Sequence, residues 1–251
     1  MGGSGLGDVV AYLSGKGGTG KTSVCAGIAA ALASEGLKVL CIDCDVGLRN
    51  LDISLGMSDS GSLSFLDVCE GGYELSAAAQ SPELPTLKFL TAPMNCPVEK
   101  IDPEPFGAML KKARAEFDYV FLDAPAGVDA GFRLVTAYAD RFLVVTGAGP
   151  AAVRDAARVG DLLEIDGKKD VRLIVNRVSR SMLSTVRMTI DDVMDHTGLP
   201  LIGVVLEDPN ITLAAAFGKS IHQYAKRSDA ARAFHRIAAR IQGYPKPISL
   251  R

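Results

Sequence analysis

The residues best suited to chemistry lie near the start of the chain. Gly15-Lys16-Gly17-Gly18-Thr19-Gly20-Lys21-Thr22 fits the pattern G-x-x-x-x-G-K-[ST], directly after an apolar run and before a helical pattern. Glycines at these positions let successive backbone N–H groups turn inward as an anion nest, and the following helix points its positive end the same way. The ligand such a loop takes is a nucleoside triphosphate. Lys21 is then expected to reach the β and γ phosphates and the Thr22 hydroxyl to hold Mg²⁺, with Ser23 counted among the nucleotide contacts. Asp43 and Asp45 stand two residues apart at the end of another apolar run, a spacing that lets both carboxylates face one site. That suits metal or water positioning beside a phosphate. Asp123 closes the run Tyr119-Val120-Phe121-Leu122-Asp123, where a carboxylate supports Mg²⁺ through a bound water.

Such groups act together only if the fold delivers them to one edge. Apolar runs at 9–14, 38–43, 87–91, 119–123, 141–146, 171–176 and 201–205 read as buried strands, and 22–34, 104–115, 131–138, 151–165 and 190–197 read as helices. The strands are continuously apolar, as a parallel sheet covered on both faces requires. The fold class expected is α/β: a doubly wound, mostly parallel sheet with helices on both faces and ligands at the strands' carboxyl ends. Residues 60–85 break the rhythm and are expected to be irregular helix and loop. The expected division is a flexible leader over 1–7, a single domain over 8–242 and an irregular tail over 243–251.

Composition narrows the class. The 251 residues are 48% hydrophobic and 22% charged, which excludes a disordered chain, and 27 basic against 29 acidic residues argue against a DNA-wrapping protein. No apolar run approaches the ~18 residues that span a bilayer. Five cysteines, an odd number, read as reduced thiols of a cytoplasmic protein. Cys41 and Cys44 form a C-x-x-C, but without a second pair or a nearby histidine to complete a metal set they are expected to be structural.

With Lys16 at its second position, the loop resembles the deviant Walker A motif of the MinD/ParA family of ATPases. The run Asp43-Cys44-Asp45-Val46-Gly47-Leu48-Arg49-Asn50-Leu51-Asp52 and the segment Asp123-Ala124-Pro125-Ala126-Gly127 are similar to MinD-like members in particular. The resemblance covers about 9–242. It implies a P-loop ATPase that hydrolyses ATP to ADP and phosphate with Mg²⁺, and that pairs two copies over the nucleotide. Lys16 would cross that homodimer to the partner's nucleotide, Asp45 would orient the attacking water, and Asp43 would lie near the Mg²⁺ shell. Asn176 matches the family's adenine-reading asparagine. Leu206-Glu207-Asp208 stands where the family has Pro-Glu-Asp, which brings Asp208 to the nucleotide, although Leu206 departs from the pattern. Arg154 and Asp155 fall on a segment that lies at the family's interface.

The end of the chain departs from MinD. Residues 229–242 read as a packed helix with Phe234, Ile237, Ala238 and Ile241 on one side, and its arginines as a solvated face. Pro245 and Pro247 forbid a helix in the tail, so no amphipathic membrane anchor is recognisable there. The function expected is a spatial-positioning switch, MinD-like, with an activating protein as partner. It would be cytoplasmic, with peripheral contact to the inner face of the cell membrane left open and non-specific DNA the less favoured surface. The alternatives are a ParA-like partitioning ATPase on DNA and a nucleotide-dependent scaffold with negligible hydrolysis.

Overall fold

The computed structural model describes residues 5–58, 60–61, 63–94, 96–179 and 189–248. Strand β1 (Asp8–Leu13) leads through the glycine-rich loop into helix α1 (Lys21–Ser34), followed by β2 (Val39–Asp43), α2 (Leu51–Leu55) and α3 (Phe65–Cys69). Then come β3 (Ala79–Gln80), β4 (Leu87–Leu90), α4 (Pro103–Glu116), β5 (Tyr119–Asp123), α5 (Ala130–Tyr138), β6 (Arg141–Thr146) and α6 (Pro150–Ile165). The last elements are β7 (Val171–Val178), α7 (Ile190–Thr197), β8 (Leu201–Leu206), α8 (Pro209–Ala216), α9 (Ile221–Ala225) and α10 (Asp229–Ile241). The strands form one sheet in the order β3-β4-β2-β5-β1-β6-β7-β8. Every pairing is parallel except β3 against β4.

The continuous apolar strands are buried on both faces. One half of the core packs side chains of α4, α5, α6 and α7 onto the sheet; the other packs α1, α8, α9 and α10. Helix α1 is apolar and small nearly all round, and Val24–Ala33 is buried throughout. Its Gly27 admits the Phe234 ring of α10 so closely that a Cβ there would lie 2.2 Å from the ring. Cys41 and Cys44 fall in opposite halves of the core, both buried, because successive strand side chains alternate faces. They cannot share a metal.

Strand and helix boundaries fall within one or two residues of the sequence-based expectation. Helix α3 falls in the stretch 60–85 expected to hold irregular helix and loop; the sequence carries no sign of the two-residue edge strand β3 or of the helices α2, α8 and α9. Two expectations about the ends need correcting. Gly7 is not loose: its N–H donates to Arg114 O at 2.8 Å. Residues 1–4 and 249–251 lie outside the described residues. Arg240 is not a solvated side chain, since its guanidinium donates to Ile202 O at 2.5 Å and to Lys246 O at 2.9 Å, pinning the tail to β8.

Candidate nucleotide site

Parallel strands end on one edge, so the carboxyl ends of β1, β2, β5, β7 and β8 collect the candidate residues there. The loop after β1 holds Gly18 and Gly20, both at φ 81°. This left-handed backbone is open to glycine and turns successive N–H groups toward one side. No side chain caps α1, which leaves its first-turn amides for a ligand. Gly15 packs against the first turns of α6, where a Cβ would meet Asp155 O at 2.6 Å.

Lys21 turns its ammonium onto Asp123, with Nζ 2.5 Å from Oδ1. The side chains are 7% and 1% exposed, so this is a buried ion pair. Burial by itself lowers the Lys21 pKa, but the Asp123 carboxylate outweighs it and holds the ammonium above the ordinary lysine value. Asp43 faces Asp123 across the β2–β5 register. Burial, and then the Asp123 charge, push the Asp43 carboxyl up to about 7. Its Oδ1 accepts the Asp45 N–H at 2.9 Å and its Oδ2 the Leu51 N–H at 3.2 Å. Two buried carboxylates with one lysine between them are short of positive charge. Thr22, half-buried in the first turn of α1, adds a hydroxyl to that donor set, so the residues present fit a hydrated divalent cation.

Asp45 is half-buried, and its Oδ1 accepts the N–H groups of Gly47 and Leu48 at 3.2 and 3.3 Å, closing a turn. Lys16 is exposed, with Nζ 3.8 Å from the Asp155 carboxylate of its own chain. Arg154 is exposed on the same helix.

Beside the loop lies a cavity of about 540 Å³ lined by Gly20, Ser23, Asn176 and Asp208 among others. Asn176 Nδ2 donates to Thr19 O at 2.8 Å, while Asn176 Oδ1 and Thr19 Oγ1 are buried without a partner among the described residues. Orphaned buried acceptors of this kind fit a bound donor group. Asp208 is differently placed: Oδ1 caps α8 through the Asn210 N–H at 3.0 Å, and Oδ2 accepts the Ala230 N–H at 3.1 Å. Its carboxylate holds α8 and α10 at the cavity wall. Sequence reasoning assigned no role to Arg177 or Glu207, which also line this cavity. A lone arginine carries no spacing signal, and Glu207 is legible only as part of the segment Leu206-Glu207-Asp208.

A phosphate nest at a helix start, acids on the two strands beside it and a base-sized cavity define a P-loop nucleotide-binding α/β protein. The CobQ/CobB/MinD/ParA nucleotide binding domain model matches residues 10–221. The septum site-determining protein MinD of Synechocystis is 36% identical over 241 residues, covering 95% of this chain and 91% of that protein. Among solved structures, MinD in the MinC:MinD cell division complex of Aquifex aeolicus superposes with a TM-score of 0.88 at 33% identity, over 96% of this chain and 98% of that one. The MinD complexed with Mg-ADP from Pyrococcus horikoshii gives 0.82 at 28% identity, over 94% and 96%. The chain belongs to the CobQ/CobB/MinD/ParA nucleotide-binding family, among its MinD proteins. It is a nucleotide-binding ATPase of that family and a MinD-like positioning switch.

Proposed function

We propose that the chain binds ATP with Mg²⁺ on the loop 15–22 and closes as a homodimer over the nucleotide. It hydrolyses ATP to ADP and phosphate to reopen, and so places a division component or similar cargo. The buried Lys21–Asp123 pair is the observation that carries this reading. An ammonium already desolvated at the mouth of an anion nest has only to exchange one anionic partner for another when phosphate arrives. Thr22, with Asp43 and Asp123 around it, would hold Mg²⁺, which spreads the charge of the terminal phosphates. The loop residues Gly15, Lys16, Gly17, Gly18, Thr19, Gly20, Lys21, Thr22 and Ser23 would hold the phosphates, and Asn176 the base. Asp208 would shape the base cavity through its two caps rather than by direct contact. Asp45 would release its turn amides to orient the attacking water.

The Lys16–Asp155 contact is an exposed pair, and such pairs contribute at most about 1 kcal/mol, so Lys16 is free to leave it for a partner's phosphates. Asp155 and Arg154 on α6 then belong to the interface. The septum-related names of the relatives and the MinC:MinD complex favour a protein partner and a division role. No helix among the described residues is long and apolar enough to cross a membrane.

Light scattering and phosphate release test the proposal together. The wild type should double its mass on addition of Mg-ATP. Lys16→Ala should stay monomeric while keeping its nucleotide affinity within about 3-fold, since it leaves the cis loop intact. A Lys16→Ala protein that dimerises like the wild type contradicts the cross-dimer role.

A further inference from the structure

We infer that Arg49 is a positioning residue for hydrolysis: its guanidinium, held by Thr91 just past β4, fixes the turn that carries Asp45. This rests on the role proposed above for Asp45. The loop between β2 and α2 is tied at its two ends. Cys44 N–H donates to Asp123 O at 3.0 Å, and Leu51 N–H to Asp43 Oδ2 at 3.2 Å. Between those ties Gly47, Leu48 and Asn50 are exposed. When the Asp45 carboxylate leaves the Gly47 and Leu48 amides for the attacking water, two of the bonds that close the turn are lost. Arg49 is what then keeps the turn in place.

Arg49 is bonded at both of its ends. Its backbone N–H donates to Asp45 O at 3.2 Å, and its Nε donates to Thr91 Oγ1 at 3.0 Å. Among the described residues this is the only side-chain hydrogen bond that 46–50 make. Thr91 is a firm anchor. It is buried, its N–H donates to Leu63 O at 2.9 Å, and its carbonyl accepts the Phe65 N–H at 2.9 Å. Leu90 before it pairs with Ile42, the residue before Asp43, so the tether runs from the turn to the strand that flanks β2. Asp67 lines the same cavity as Arg49, but its Oδ2 is taken by the Ser64 N–H and hydroxyl at 3.0 and 2.6 Å. The backbone gives independent support. Arg49 takes φ +45°, a left-handed conformation open to glycine and costly for a residue with a Cβ. Such a cost persists at functional sites where the surrounding structure holds the residue in place.

The test is Mg-ATP turnover by the full chain, with dimer mass followed by light scattering. Arg49→Ala and Thr91→Val should each lower kcat about 10-fold, with KM within about 3-fold and dimer formation as in wild type. A displacement of about 1 Å at a reacting group can cost about 100-fold, so a loosened turn is enough. Thr91→Ser keeps the acceptor and should retain the wild-type rate. Arg49→Gly relieves the backbone and loses the tether, so it should be as slow as Arg49→Ala. Arg49→Ala combined with Thr91→Val should be no slower than either alone, because both remove one bond. A wild-type kcat in Arg49→Ala, Arg49→Gly or Thr91→Val would overturn the inference, as would a Thr91→Ser as slow as Thr91→Val. Loss of the dimer in Arg49→Ala would overturn it in favour of an interface role. Turnover by Asp45→Asn at the wild-type rate would instead remove the Asp45 role on which the inference rests.

Discussion

Lys21 has two roles that pull in different directions under mutation. On the reading proposed above it is the phosphate cation of the loop, and it neutralises a buried carboxylate. Breaking a buried pair from one side leaves an uncompensated charge, at a cost of about 3–5 kcal/mol. Lys21→Ala should therefore abolish Mg-ATP binding in calorimetry and also lower the denaturation midpoint of the free protein. Lys21→Met with Asp123→Asn should recover most of the stability and none of the binding; a single variant as stable as wild type would show that the pair carries no such strain. Asp43 supplies a pH signature. Its folded value of about 7 lies above the ordinary 3.8, so between these values the unfolded chain binds fewer protons than the folded one. The stability contributed by the protonated form is complete below the lower value and is lost as pH rises through the upper one. In nucleotide-free, Mg²⁺-free buffer, urea titrations should show stability falling between pH about 5 and about 8, and Asp43→Asn should flatten that slope. At this scale the sequence was legible wherever a motif fixes both residue type and spacing, as in the loop 15–22 and the acids at 43, 45 and 123. It was silent on Arg177 and on the caps that occupy Asp208.

Secondary structure was legible because the periodicities are strong and long. The continuous apolar strands and the helices of eight or more residues from α1 to α7 were all found from pattern. What escaped were the five-residue helices α2 and α9, the eight-residue α8 and the two-residue strand β3. The α1–α10 contact shows how tertiary packing overrides propensity. In an isolated helix Gly27→Ala would gain about 1 kcal/mol. Here the new Cβ would lie 2.2 Å from Phe234, and overpacking costs about 1–3 kcal/mol, so a net destabilisation is expected. Chemical denaturation checks the sign, and Gly27→Ala with Phe234→Leu should recover the loss. A more stable single variant would mean that α10 shifts freely away from α1, contrary to the tight core between them.

At the scale of the whole molecule, the sheet brings five strand ends to one edge and leaves Lys16, Arg154 and Asp155 beside it, where a second copy can close over the nucleotide. The chain's MinD kinship covers nearly its whole length, while the tail follows its own course, pinned by Arg240. On the reading proposed above, an ATP-dependent dimer is the feature on which the positioning role depends. In that proposed cycle Asp45 would orient the attacking water. Asp45→Asn keeps an Oδ1 to accept the Gly47 and Leu48 amides, so the turn survives while the carboxylate is lost. The most direct measurement follows mass by light scattering and phosphate release together, on wild type and Asp45→Asn after addition of Mg-ATP. The wild type should form a dimer that decays as phosphate appears, and Asp45→Asn should form a dimer that persists with little release. Phosphate release by Asp45→Asn at the wild-type rate, or an absence of dimer in both proteins, would contradict a hydrolysis-timed dimer switch.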